Sequence, residues 1–196
     1  MWAAAEGHVD VVKELIQAGA DFRTPLDSGF TPLLFAVREG RMEVVEALLE
    51  AGADVNEPTP LEPTERQRPL GGGRSIRPGS SPLLVAVTSG HFELAAQLLD
   101  AGADPDAAAP GYTVLHMLAR VRKPGAGDNN PRPDGSGSMS GLDFVRDIAA
   151  HGADMNARMT EKPHLNNTGF DELGATPFLL AALTADAELM RTLAEV

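Results

Sequence analysis

The tripeptide Gly-Ala-Asp returns four times in this chain, at Gly19-Ala20-Asp21, Gly52-Ala53-Asp54, Gly102-Ala103-Asp104 and Gly152-Ala153-Asp154. The first interval is 33 residues and the next two are 50. Fifty is 33 plus 17, so one period of 33 runs through the chain and insertions interrupt it. Such a period narrows the possible folds sharply. Each unit is too small to bury its own apolar face, so units must stack one on another.

A second marker lies 12 residues before each tripeptide: Gly7, Gly40, Gly90 and, degraded, Ser140. Three residues further on stands an acid, Asp10, Glu43, Glu93 or Asp143. An apolar stripe follows at fixed offsets. It reads Val11, Val12, Leu15, Ile16 in the first copy and Val44, Val45, Leu48, Leu49 in the second. The third has Leu94, Ala95, Leu98, Leu99 and the fourth Phe144, Val145, Ile148, Ala149. That spacing is one face of an α-helix. The acid falls in the first turn, where the helix dipole favours it, and the following Gly suits a C-terminal cap. A shorter helix precedes each marker. Thr31-Pro32-Leu33-Leu34 and Ser81-Pro82-Leu83-Leu84 open with an N-cap and Pro at the first helical position. Thr113-Val114-Leu115-His116 and Thr176-Pro177-Phe178-Leu179 are variants. Each unit therefore reads as helix, tight turn, helix and extended loop.

The pattern resembles the ankyrin repeat family, whose motif runs Gly-x-Thr-Pro-Leu-His-x-Ala-Ala, then Gly-His, an apolar stripe, Leu-Leu and Gly-Ala-Asp. Gly29-Phe30-Thr31-Pro32-Leu33 through Gly52-Ala53-Asp54 matches over a complete unit. Leu34, Leu84 and Leu179 replace the motif His, which only His116 keeps. The resemblance implies an all-α solenoid of stacked helix–turn–helix units with β-hairpin or loop fingers. As a single domain it would place units at about 1–23, 24–56, 77–106, 109–156 and 172–196, with insertions at 57–80, 121–140 and 157–175. The outer two units lack polar caps, as in a fragment of a longer array. Monomers are expected, with end-to-end contacts through uncapped terminal units as an option. The insertions at 57–80 and 157–175 fall at finger positions; 121–140 separates two helices of one unit. Its Lys123 to Asn130 run reads as a loose loop, and 125–137 as dispensable.

Composition removes several function classes. The formal net charge is −12, which disfavours binding nucleic acid or anionic lipid over a broad face. The chain has no cysteine, so it has no disulfide, Cys-ligated zinc or thiol nucleophile. No apolar run is long enough to span a membrane, and Met1-Trp2-Ala3-Ala4 lacks the basic start of a signal peptide. Richness in Ala, Gly, Arg and Pro hints at a GC-rich bacterial source.

The resemblance implies a protein partner held on finger tips and the exposed, concave face of the inner helices. The residues at those positions are Glu6, Phe30, Arg38, Glu39, Arg77, Thr88, Ser89, Tyr112 and Arg120. Aromatics and Arg are frequent interface anchors, although Phe30 and Tyr112 also suit packing between fingers. The first insertion carries Arg66, Arg68, Arg74 and Arg77 against Glu57, Glu62 and Glu65. A docked, solvated loop is the simpler reading of it than a phosphate grip, and Gly71-Gly72-Gly73-Arg74-Ser75 is no P-loop.

Of five histidines, His8, His91, His116 and His151 hold repeat positions, and only His164 lies in an insertion. None pairs at metal-ligand spacing. The Gly-Ala-Asp acids come one per unit, so they suit local turns better than calcium. No nucleophile elbow is present. Catalytic, cofactor and metal sites are therefore all expected to be absent. The chain reads as a protein-binding module, or alternatively as an accessory scaffold in a larger bacterial enzyme or redox protein.

Overall fold

The computed structural model describes residues 1–60, 76–108, 111–123, 133–161 and 172–196. Among the described residues it is all-α. Ten helices come in five pairs: α1 (Trp2–Glu6) with α2 (Val9–Gln17), α3 (Pro32–Arg38) with α4 (Met42–Glu50), α5 (Pro82–Thr88) with α6 (Phe92–Asp100), α7 (Val114–Arg122) with α8 (Gly141–Ala150), and α9 (Pro177–Leu183) with α10 (Ala187–Glu195). The first helices of successive pairs pack on one another from α1 through α9, forming an inner layer. Outer helices meet as α2 on α4, α6 on α8 and α8 on α10.

The inner helices start where the sequence says they should. Leu34 N–H donates to Thr31 Oγ1 (3.3 Å), Leu84 N–H to Ser81 Oγ (3.2 Å) and Leu179 N–H to Thr176 Oγ1 (3.3 Å). Each cap satisfies an amide that the helix leaves without a partner. From the second unit to the fourth the outer helices bury most of the predicted stripe, with Val44, Val45, Leu48, Leu94, Leu98, Phe144, Val145 and Ile148 in the core; in the first unit Val12 is buried but Val11 and Leu15, expected on the same stripe, are exposed. Each core residue contributes about 1.5–3 kcal/mol of burial. Phe92 and Phe144 stack across α6 and α8, with ring centroids 6.0 Å apart.

The turn between paired helices takes left-handed backbone at Gly7, Gly40 and Gly90, with φ of 82°, 68° and 82°. In the fifth pair Ala185 fills that place with φ 53°, the one non-glycine with positive φ among the described residues. Ser140 needs no such geometry. It caps α8 instead, accepting from Asp143 N–H at 3.2 Å.

The two finger insertions leave the finger base intact. In the short first finger Leu26 N–H donates to Phe30 O (3.1 Å) and Gly29 N–H returns to Leu26 O (2.7 Å). Thr59 and Ser80 make the same closure (2.9 Å), with Gly79 N–H to Thr59 O (3.0 Å). Met159 and Ala175 repeat it (2.9 Å), with Gly174 N–H to Met159 O (2.8 Å). The extra residues fall in sequence between the closing pairs, and added loop length costs little in entropy.

The helix-to-helix insertion behaves differently. Helix α7 continues through Arg122, and residues 133–138 do not hang free. They lie as a strap over the neighbouring turns. Ser136 N–H donates to His91 Nδ1 (2.9 Å), and Ser138 N–H to Glu93 Oε2 (2.6 Å). Gly135 passes so close to Gly90 that a Cβ there would collide with the Gly90 carbonyl oxygen. The rest of the expected loose loop, 124–130, lies outside the described residues.

Candidate functional site

Two hydrogen-bonded ladders hold the units in register and so position the surface. On the finger edge each Gly-Ala-Asp acid accepts from the amide two residues on: Arg23 to Asp21 (2.8 Å), then Asn56 to Asp54, Asp106 to Asp104 and Asn156 to Asp154 (each 2.9 Å). These acids are local turn partners. The residue so held reaches the next unit. Arg23 donates to Gly52 O (3.2 Å), Asn56 accepts from Asp104 N–H (2.8 Å), and Asp106 accepts from Asp154 N–H (3.0 Å). On the turn edge, Arg41 Nε donates to Ala5 O (2.9 Å) and His91 Nε2 to Arg38 O (3.0 Å).

The buried histidines serve this framework. His116 Nδ1 accepts from Thr113 N–H at 3.1 Å, so Nε2 carries the proton and donates to Ala175 O at 3.0 Å. Burial pushes the His116 and His91 rings below the ordinary imidazole range, more than their carbonyl contacts to Ala175 and Arg38 raise them. Both are structural, neutral imidazoles. Among the described residues no group of three His, Asp or Glu side chains could hold a metal ion, and no helix is long and apolar enough to cross a membrane. His164, Arg66, Arg68 and Arg74 lie outside the described residues.

The surface residues expected from the sequence divide by burial. Glu6 and Glu39 are exposed; Arg38, Arg77 and Ser89 are half-buried. Phe30, Thr88 and Tyr112 are buried. Thr88 Oγ1 is turned inward to Leu84 O (2.7 Å). Burial pushes the Tyr112 phenol up, against the lowering influence of Arg77 and Arg120. Arg120 is largely buried and ion-paired with Glu172. Phe30 nonetheless shapes the surface from beneath. The Arg38 guanidinium lies over the Phe30 ring at 5.3 Å and the Phe35 ring at 5.1 Å, and is ion-paired to Glu39 at 2.9 Å.

Beside this cluster a cavity of about 450 Å³ opens between α1 and α3. Met1, Trp2, Ala5, Leu26 and Phe35 line it with apolar surface, and Glu6, Arg38, Glu39 and Arg41 complete the lining. No outer helix contributes to it. Trp2, Leu26 and Phe35 are not among the sequence candidates. A signal for two of them exists: Trp2, Phe35, Val85, Met117 and Leu180 share one register position on the five inner helices, and all are apolar. Val85, Met117 and Leu180 are 0%, 6% and 3% exposed, Phe35 is half-buried and Trp2 is 78% exposed. The column is closed in the third to fifth units and open in the first two.

Paired helices stacked in two layers and linked through fingers define a helical repeat solenoid. A family model described as ankyrin repeats in three copies matches residues 1–59, and one described as a single ankyrin repeat matches residues 79–109. This chain carries ankyrin repeats. Ankyrin repeats are generally protein–protein interaction modules and typically not enzymes. No curated protein matches the chain.

Proposed function

We propose that the chain holds a protein partner along its inner-helix face and finger loops. The supporting observation is the rigid Arg38 cluster, stacked on Phe30 and Phe35 and pinned by Glu39, beside an open apolar cavity. Aromatic and Arg side chains fixed before binding lose little entropy on contact, which favours affinity. Glu6, Arg38, Glu39, Arg77 and Ser89 supply contacts. Phe30, Thr88, Tyr112 and Arg120 back the surface from within.

Protein capture on the immobilised chain, followed by mass spectrometry, tests this reading. Glu39→Arg combined with Ser89→Arg should lower recovery of a specific partner about tenfold. Glu46→Arg with Glu50→Arg, exposed on the outer helix α4, should leave it unchanged. Loss through the outer pair alone would place binding elsewhere and refute the assignment.

A further inference from the structure

Arg77 and Glu172 hold the same place in two fingers. Each carbonyl accepts from the amide three residues on, Ser80 N–H to Arg77 O at 3.1 Å and Ala175 N–H to Glu172 O at 2.9 Å. Thr59 Oγ1 also donates to Arg77 O, at 2.8 Å, which fixes the backbone there. Glu172 is 7% exposed and pairs with Arg120 of the inner helix α7. The inner face thus already holds one carboxylate on a guanidinium, supplied by the chain itself.

The third unit reverses the charge at that place. Arg77 is half-buried, and among the described residues its guanidinium makes no hydrogen bond or ion pair. Tyr112, at the base of the next finger, is 4% exposed, and its hydroxyl likewise has no hydrogen-bond partner among the described residues. The charges that act on the phenol are both cations, Arg77 and Arg120. Arg120 is engaged by Glu172. Glu161 packs against Gly111, next to Tyr112 in the chain, but among the described residues it pairs with neither Arg. Two donors therefore stand side by side with no acceptor, a guanidinium and a phenol O–H. A buried hydroxyl without an acceptor and a half-desolvated cation without an anion both cost free energy. One carboxylate relieves both, as Glu172 does for Arg120.

The rest of the ligand is limited by charge. A net −12 repels a polyanion at long range. The recognised segment is therefore one acid in uncharged surroundings, held by short-range contacts.

Resting on the inner-face reading above, we infer that Arg77 and Tyr112 form a carboxylate-binding site for a single Asp or Glu side chain of the partner. The guanidinium pairs with the carboxylate, and the phenol O–H donates to it.

Tyr112 is the only tyrosine in the chain, so an isotope label in the tyrosine ring reports on this place alone. The labelled 196-residue chain is titrated, by nuclear magnetic resonance, with Gly/Ser peptides blocked at both ends and carrying one central Glu, Gln or phosphoserine. The Glu peptide should shift the Tyr112 ring signals, saturate, and bind about tenfold more tightly than the Gln peptide, the scale of one charge-assisted hydrogen bond. Arg77→Met should erase that preference without lowering the melting temperature, since Arg77 has no protein partner to lose. Arg77→Lys should keep part of it. Tyr112→Phe, followed at the Thr113 amide, should weaken the Glu peptide about threefold, as for one hydrogen bond lost. Equal binding of Glu and Gln peptides, a preference that survives Arg77→Met, or tighter binding of phosphoserine than of Glu overturns the assignment. None of those results touches the capture experiment, which reads Glu39 and Ser89 and fails or succeeds separately.

Discussion

Arg122 at the end of α7 lays its Nε 3.0 Å from Asp186 Oδ2, joining residues 64 apart in sequence. Asp186 is fully buried and also caps α10, accepting from Leu189 N–H at 3.2 Å. Burial pushes its carboxyl up, but the Arg122 and Leu189 hydrogen bonds outweigh that and hold it below the usual carboxylate range. The pair ties the fourth unit to the fifth.

Removing the cation should therefore cost more than removing a surface charge. Arg122→Met leaves the buried carboxylate with the Leu189 amide and with Lys123 Nζ at 4.0 Å, and a loss of about 2–4 kcal/mol is expected. Denaturant melts of the two proteins measure it. The carboxyl is depressed in the folded state, so the pair's contribution is present above the unfolded pKa of about 3.9 and fades as pH falls through the folded value. The gap between wild type and variant should then narrow in acid, and a gap constant from neutral pH down to pH 3 would exclude the pair as its source.

Ala185 is strained where its counterparts are not. Its φ of 53° matches the role of Gly7, Gly40 and Gly90, but its Cβ crowds the following carbonyl. Ala185→Gly should stabilise the chain by about 1 kcal/mol, relief of strain exceeding the entropy that glycine loses. A lower melting temperature would refute this account of the turn.

Leu98 is fully buried in α6, at the register position of Leu48 in α4. Leu98→Ala should cost about 2–5 kcal/mol through the cavity it leaves. Exposed Leu15 holds the same register position in α2, and Leu15→Ala should cost far less. Comparing the two by thermal melting separates burial from helix propensity, since the residue change is identical.

Much of this architecture was legible because its signals are local. Thr31-Pro32, Ser81-Pro82 and Thr176-Pro177 announce helix starts by chemistry confined to one turn, and each Gly-Ala-Asp acid bonds an amide two residues away. The His116 contact with Ala175 was legible only through the family resemblance. The Thr59–Ser80 and Met159–Ala175 closures join residues far apart in sequence; repeat register set the far ends of the insertions at 80 and 175, but nothing local marks Thr59 and Met159 as the partners. At the surface, register placed Phe30, Thr88 and Tyr112 correctly on the inner helices and fingers but could not report their burial, which depends on what packs above them. Trp2 escaped for the opposite reason. It shares a column with Val85, Met117 and Leu180, which are buried, and only coordinates show that Phe35 and Trp2 are not.

The strap over the third unit gives the last prediction. Ser136 N–H donates to His91 Nδ1, so that nitrogen must be unprotonated, while Nε2–H is committed to Arg38 O. Burial depresses the ring's pKa; the Arg38 carbonyl and Glu39 oppose this and Arg41 adds to it. The unfolded chain thus takes up a proton near pH 6.5, before the folded chain does. Stability from this site is present in full above about pH 6.5 and declines as pH falls toward the lower folded value. Buried His116 has the same sign. Protonating His91 Nδ1 also removes the acceptor for Ser136, so the strap should loosen in that range. Hydrogen exchange at the Ser136 amide, relative to amides in α6, should accelerate between pH 7 and pH 5 beyond the intrinsic change. Gly135→Ala should produce the same loosening at pH 7, because its Cβ cannot share space with the Gly90 carbonyl. A Ser136 amide equally protected in all these conditions would show that the strap is held by something other than His91.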